Sequence, residues 1–526
     1  MTPFSYLDCF ASSAMAEVPF DHLFTSNCPV EDSEIPDIEI ALLEARNRLR
    51  LLEGKLNELE IENDLHPLDE RANEHSDSRV QVLLCRDQQR AHITKLQSTL
   101  SSFRRLPPEI LLLIFSFALP SQWKGVSMDP SSVIWRIGQV CGLWRAIVCE
   151  SMPYLWSSIE IDCMGANEQN LTNILLELAL QRSGTRPLSI RFYFSRKDMS
   201  GVLPESEKRC LNLLANQSSR WEAVELQYIP IAALDSLSAT VKHRIPLLRW
   251  LVVANIPVSH AADTPSTAEA FQVAPQLRHF SLSGFFRPSR FYLPWLQLSS
   301  YTGSFRDFRD FLFVLEYAKN LSTCDVFLRN FHPGSRIDHL NMQTMHIRSQ
   351  LVGLSRLHLP SLHTLVLDEL LLQDLSPVST FLRRTPSVAS LEVYIFDTGA
   401  ENSISLLSEV MHACTNINSL VLMGEYDIRS VCSLLDISET VGQGRILMPR
   451  LRHLSLSVLA TADTEVANIL GLMLESRRYP TLHDVDHECV LLSSLTLHSL
   501  REPSVILQRL KPIEETLGLS VLVKTV

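Results

Sequence analysis

The period of the apolar positions changes three times along the chain. From Ile38, residues Leu42, Ala45, Leu49, Leu52, Leu56 and Leu59 recur at alternating steps of 4 and 3, with Glu, Arg and Lys filling most positions between them. That spacing is a heptad seam and predicts a helix with one apolar edge. A second helical run, Val80, Leu83, Leu84, Ile93, Leu96, Leu100 and Phe103, follows a polar connection at 64–79. Three heptads are marginal as a free-standing pair, so 37–102 reads as a helical hairpin folded on itself, with a short dimeric coiled coil as the alternative. Residues 1–36 show no sustained period and read as a disordered acidic tail.

Residues 103–161 hold the densest run of apolar and aromatic side chains. Leu106-Pro107-Pro108-Glu109 is a helix start, because proline at the first helical position gives up only an amide that has no intrahelical partner, and glutamate favours the positive end of the dipole. Pro120 ends that helix near Leu119. Ile110, Leu111, Ile114, Phe115 and Ala118 cover one side, while Leu112, Leu113 and Phe117 make the opposite side apolar too. A helix apolar all round needs cover from something. A second helix is predicted from the stripe Ile137, Val140, Cys141, Trp144 and Val148, weakened by roughly 1 kcal/mol at each of Gly138 and Gly142. Trp156 follows a turn at Pro153, and Ser158–Ile161 alternates like the start of a strand.

Beyond residue 180 the texture is of short strands carrying L-x-x-L-x-L or a close relative. They are WEAVEL from Trp221, LRWLVV from Leu248, LRHFSL from Leu277, LPWLQL from Leu293, LSTCDV from Leu321, LHTLVL from Leu362, VASLEV from Val388, INSLVL from Ile417, LRHLSL from Leu451 and LSSLTL from Leu492. Steps such as 27, 29 and 26 residues fall within or at the edge of the leucine-rich-repeat range, and other gaps do not. Helical patterns lie between the strands, at Phe311–Ala318 and Leu406–Met411. The expected fold is therefore α/β: a helical hairpin or short coiled coil, a small helical domain over 103–160, then an irregular leucine-rich-repeat-like solenoid over 161–526. An irregular α/β domain without a repeat remains the alternative.

Composition narrows the function classes. With 526 residues, 46% hydrophobic and 20% charged, the chain is ordinary globular material. A net charge of -12 and a pI near 5.8 argue against a nucleic-acid or anionic-membrane partner. The eleven cysteines include no C-x-x-C pair and read as free thiols. The first 45 residues carry no Lys or Arg, against a secretory or mitochondrial leader, and the apolar run Ile110–Trp123 is too short for a membrane span. The expectation is a soluble protein of the cytoplasm or nucleus. No phosphate loop, HExxH, GxSxG elbow or dinucleotide fingerprint is present, and Gly442-Gln443-Gly444 reads as a loop. His483, His487 and Cys489 form the best metal-like grouping, and chance histidines on a polar connection explain it better. No cofactor, metal or catalytic residue is expected.

The ordered set Leu106-Pro107-Pro108-Glu109-Ile110-Leu111, Ile114-Phe115, Val140-Cys141, Trp144-Arg145 and Pro153-Tyr154-Leu155-Trp156 resembles an F-box, in the form common among large fungal families of F-box-like proteins. The resemblance covers about a tenth of the chain. It implies a non-catalytic adaptor that docks on a Skp-type subunit of a cullin-RING ubiquitin ligase while the downstream repeats select a protein for ubiquitination. Carried over, Leu106, Pro107, Pro108, Ile110, Leu111, Ile114 and Phe115 are implied to form the docking surface, with Val140, Cys141 and Trp144 contributing both to it and to the small core. The alternative is a leucine-rich interaction scaffold with no ligase partner.

Overall fold

The computed structural model describes residues 20–25, 29–65, 72–119, 125–164, 169–195, 203–254, 267–284, 286–305, 307–328, 336–349, 351–371, 375–397, 403–437, 446–458, 464–478, 490–499, 510–512, 514–516 and 518–525. The His483–Cys489 grouping, the Gly442–Gly444 loop and most of the segment 1–36 lie outside the described residues. The chain divides into two units, Met1–Ser158 with Leu178–Gly184, and Ile159–Glu177 with Thr185–Val526.

The first unit is helical. After α1 (Asp21–Thr25), the two long helices α2 (Ile35–Leu65) and α3 (Ala72–Thr99) pack antiparallel. Near the turn, Leu56 and Leu59 meet Val82; at the far end, Ile38, Leu42 and Ala45 meet Ile93 and Leu96, with Phe20, Leu23 and Val30 closing the cluster. The heptad seam is thus covered within the chain. Polar ties run along the pair, from Arg90 to Glu53 at 2.8 Å and from Arg79 to Glu60 at 2.9 Å, and on exposed surface each contributes at most about 1 kcal/mol. The unit continues with α4 (Pro108–Phe117), the short strand β1 (Val126–Ser127), α5 (Val133–Val140), α6 (Gly142–Ala146), a π-turn at Ile147–Ser151 and α7 (Pro153–Trp156).

The second unit is α/β, built on a long parallel sheet. Strands β2 (Ser158–Asp162), β3 (Leu188–Tyr193), β4 (Trp221–Gln227), β5 (Trp250–Ala254), β6 (His279–Ser283), β7 (Ser300–Phe305) and β8 (Thr323–Leu328) lie side by side in chain order. The short strands β9 (Ile337–Asp338) and β11 (Leu357–His358) pair only with each other. The main sheet continues through β10 (Thr344–Ser349), β12 (Thr364–Leu371), β13 (Ser390–Asp397), β14 (Ser419–Gly424), β15 (His453–Val458), β16 (Ser494–Ser499) and β17 (Ser520–Thr525). The helices between are α8 (Gln169–Arg182), whose last five residues belong to the first unit, α9 (Glu205–Ala215), α10 (Ile231–Val241), α11 (Phe308–Tyr317), α12 (Ser376–Arg384), α13 (Ser403–Ala413), α14 (Ile428–Leu435) and α15 (Thr464–Arg478).

The L-x-L of each motif lands where the register needs it. Leu251 stands beside Phe280, Leu365 beside Leu391, Leu420 beside Leu454, and Leu495 beside Val521, all on one face. Because side chains alternate across a strand, the intervening residues form the other face and stay partly exposed. The leading apolar residue of the motif, as at Leu248, Leu277, Leu362 and Leu451, is buried just before its strand.

Several places in this unit depart from the sequence expectation: β3 and β17 lie outside the ten motifs, and two further departures have a physical reason. LPWLQL makes no strand: Trp295–Gln297 is a 3-10 turn and Leu296 is exposed. The strand is β7, whose two ladder positions hold Tyr301 and Gly303 instead of aliphatic residues. The pairing is physical, since a Cβ on Gly303 would lie 2.6 Å from the Tyr301 ring, so the glycine makes room for a fully buried aromatic. Strand β10 carries Met345 and Ile347 at the motif positions, with Met342 buried just before it, and escapes a leucine-based search.

One buried cation fastens the C-terminal part of this unit. Arg477 donates to the carbonyls of Leu435 at 2.7 Å, Leu447 at 2.7 Å and Met448 at 3.0 Å, which satisfies backbone groups at the end of α14 and before β15. Among the described residues Cys163, Cys210, Cys324, Cys414 and Cys432 are buried free thiols, and burial pushes that of Cys210 up to about 12. Thiols so desolvated are poor nucleophiles.

Candidate functional site: the helix α4 surface

Helix α4 starts where its sequence directs, with Pro108 at its first position and Glu109 in its first turn, and its last backbone bond runs from the Ala118 N–H to the Ile114 carbonyl. Its two faces have different fates. Leu111 and Phe115 are buried, and the Phe115 ring lies against Trp144 with centroids 4.9 Å apart. On the other side Ile110, Leu113, Ile114 and Phe117, at i, i+3, i+4 and i+7, form one stripe that stands in solvent; Leu113 is 55% and Phe117 85% exposed.

The partner helix is placed by a break. The stripe Ile137 to Val148 predicts one continuous helix, but the backbone is extended at Cys141 (φ −164°, ψ 169°). There α5 ends and α6 begins, capped by the Cys141 Sγ accepting from the Trp144 N–H at 3.4 Å. Arg145 Nε donates to the Gly138 carbonyl at 2.8 Å across the break. Gly138 and Gly142 flank the break, and each lowers the cost of leaving the helix. The consequence is that Trp144 turns onto Phe115 while Val140, at the end of α5, is left 60% exposed.

Beneath these helices Trp156 is fully buried, donating its Nε1–H to the Val148 carbonyl at 2.8 Å and meeting Trp135 edge-on at 4.9 Å. The Arg182 guanidinium lies over both indoles, 4.5 Å from Trp156 and 5.2 Å from Trp135, at cation–π range. Trp135 Nε1 also donates to the Ser127 carbonyl at 2.9 Å. A turn opens α5: Asp129 accepts from the Ser131 N–H and hydroxyl, and those bonds hold its carboxyl below the usual range. The small domain is therefore held from below by indole packing, and its upper helix does not need its outer stripe to fold.

Burial sorts the residues that sequence singled out. Leu111 and Phe115 are core; Leu106, Cys141 and Trp144 are half-buried supports; Pro107, Pro108, Ile110, Ile114 and Val140 are exposed. Leu113 and Phe117 belong with the exposed set and were not singled out, although their i+3 and i+7 spacing from Ile110 was visible in the sequence. Nothing in an all-apolar helix says which stripe faces inward. The site has no chemistry of its own to offer: aliphatic and aromatic surface, two prolines and a glutamate at a helix start. Among the described residues no group of acidic, histidine and cysteine side chains could hold a metal, and no helix is long and apolar enough to cross a membrane.

The sequence model of the F-box-like family matches residues 103–162, which begins just before α4 and ends with β2. The region is thus an F-box-like domain. Domains of this kind point in general to a ubiquitin-ligase adaptor role, typically non-catalytic, and generally bind Skp-type adaptors of cullin-RING ligases. No curated protein matches the chain.

Proposed function

We propose that the protein is a substrate-receptor adaptor, docking on a Skp-type subunit of a cullin-RING ubiquitin ligase through α4 and α5 and selecting its target with the second unit. The observation that carries the docking half is the stripe Ile110, Leu113, Ile114 and Phe117, four large apolar side chains left in water on a helix whose opposite face is already packed. Val140, at the end of α5, is a further exposed apolar side chain, and Pro107 and Pro108 open α4. Covering a Leu and a Phe gains roughly 1.5–3 kcal/mol each, enough for a specific contact of modest size.

The selecting half rests on the sheet of the second unit. Parallel sheets are ordinarily covered on both faces, whereas here the strand residues alternate between buried and partly exposed. Strand order that follows chain order, with a repeated apolar pair at each strand, supports reading the unit as an irregular leucine-rich-repeat-like solenoid with one open face. A protein target and residence in the cytoplasm or nucleus follow from that reading.

The test is capture of a purified Skp-type subunit by the full chain and by a Leu113→Asp, Phe117→Asp variant. The expected result is binding by the wild type and a loss of about 100-fold or more in the variant, with an unchanged unfolding curve. Undiminished capture by the variant sinks the α4 docking surface; absence of capture by the wild type leaves an interaction scaffold without a ligase partner.

A further inference from the structure

The partly exposed face of the long sheet has a chemical character of its own. Between β2 and β13 its carboxylates include Glu160, Glu225, Asp325, Asp368 and Glu392, while among the described residues its guanidinium groups are Arg191 and Arg348. Both guanidinium groups are already engaged by carboxylates of that face, Arg191 with Glu225 at 2.7 Å and Arg348 with Asp325 at 2.9 Å. The imidazole of His346 lies between Asp325, at 3.4 Å, and Asp368, at 3.6 Å. Among the described residues of this face, carboxylates therefore outnumber guanidinium groups. Burial raises the Glu160 carboxyl, and Asp162 and Glu225 add to the rise against the opposing pull of Arg191. The Tyr394 hydroxyl is raised by burial and by Glu392 and Asp368.

The same face carries an aromatic plate. Trp250 on β5 is 50% exposed and stacks on His279 of β6, centroids 4.0 Å apart at 20°. An open indole on a face that also carries carboxylates is suited to a segment bearing ammonium or guanidinium groups, one of which can gain from the ring face and others from the charge. The strands from β5 to β13 are consecutive neighbours in the sheet at about 4.8 Å each, so the span from Trp250 to Glu392 is roughly 29 Å, the reach of about nine extended residues.

We propose that this face is the target-binding surface and that it takes an extended, unphosphorylated segment bearing Lys or Arg, with one cation over Trp250 and others at the Asp325–Asp368–Glu392 patch. The proposal rests on the reading that the second unit selects the target, and it adds the class of segment selected. A phosphorylated segment meets like charge across this face, because both guanidinium groups there are neutralised within it. The probes are three labelled peptides of about a dozen residues, one alternating Arg with Ser, one with Gln in place of Arg, and one with phosphoserine in place of Arg. Their affinity for the full chain is measured by fluorescence anisotropy at two salt concentrations. The Arg peptide binds, more weakly at higher salt, and the phosphoserine peptide does not.

Asp368→Asn with Glu392→Gln, and separately Trp250→Ala, each weaken the Arg peptide by about tenfold or more. Glu316→Gln with Glu409→Gln removes the same number of charges from exposed helix positions and leaves affinity within about twofold. Equal losses in the helix control, phosphoserine binding as tight as that of Arg, or no binding of the Arg peptide to the wild type each overturn the proposal. Capture of the Skp-type subunit is measured on the same preparations: its absence in the wild type counts against the ligase reading alone, and its presence without Arg-peptide binding counts against this surface alone.

Discussion

Helix α4 and the strands of the second unit divide their apolar residues in opposite ways. On α4, the inward pair Leu111 and Phe115 is buried and four further apolar side chains are exposed on the outside. On the strands, the apolar pair of most repeats is buried and the outward positions mix Ser, Thr, His, Asp, Glu and Arg with apolar residues such as Trp250, Val252, Phe327, Val366 and Val421. An apolar stripe on a helix fits a partner whose own surface is apolar and fixed, as a shared subunit's would be. A charged open sheet fits a partner discriminated by charge and position. On the proposed reading, the chain separates a contact that relies on burial from a contact that relies on complementarity.

The most damaging way to probe that division is to change the inner face of α4. Leu111→Asp places a carboxylate at a fully buried position and costs roughly 4 kcal/mol or more, so the first unit's cooperative unfolding transition is lost or shifted far down, and partner capture disappears with it. Leu113→Asp, two residues on, changes stability by no more than about 0.5 kcal/mol and removes capture alone. Equal destabilisation by the two would erase the distinction between the faces.

In the second unit Arg477→Met removes the guanidinium donor from the carbonyls of Leu435 and Leu447, and from that of Met448, which keeps the Leu451 N–H, and costs about 3–5 kcal/mol, read as a lower denaturant midpoint with capture of the Skp-type subunit intact. Gly303→Ala is smaller: the new methyl meets the Tyr301 ring at 2.6 Å, forces a fully buried side chain to shift, and costs about 1–3 kcal/mol by the same measurement. The smallest effect is at Glu160, whose carboxyl is raised by burial with help from Asp162 and Glu225. A group whose folded value lies above its unfolded value near about 4.3 contributes fully below that pH and loses the contribution as pH rises through the folded value. Glu160→Gln therefore raises the midpoint at pH 7, and the gain vanishes near pH 4; a variant equally stabilised at both pH values would show that the carboxylate is not the cause.

Much of this was legible from residue spacing. The heptad seam, the Pro108 helix start and nine of the ten L-x-x-L-x-L strands stand where the sequence puts them. The misplaced strand at LPWLQL and the unseen strand at Met345–Ile347 share one cause, that ladder positions require buried volume rather than leucine, and Tyr301 with Gly303 or Met with Ile supplies it. The break at Cys141 was hidden because a period counts side chains and not the backbone bonds that fail.

The sequence by itself determined that a helix starts near Pro108 and stops before Pro120, that it is apolar all round, and that its surroundings resemble an F-box. Which stripe would meet water was decided only in three dimensions. Trp144 reaches Phe115 because the chain leaves the helix at Cys141 and re-enters at Gly142, and that contact, between residues 29 positions apart, turns Leu111 and Phe115 inward and leaves Ile110, Leu113, Ile114 and Phe117 outside. Helical periodicity fixes angles about one axis; the direction of the core is set by whichever distant side chain packs against it.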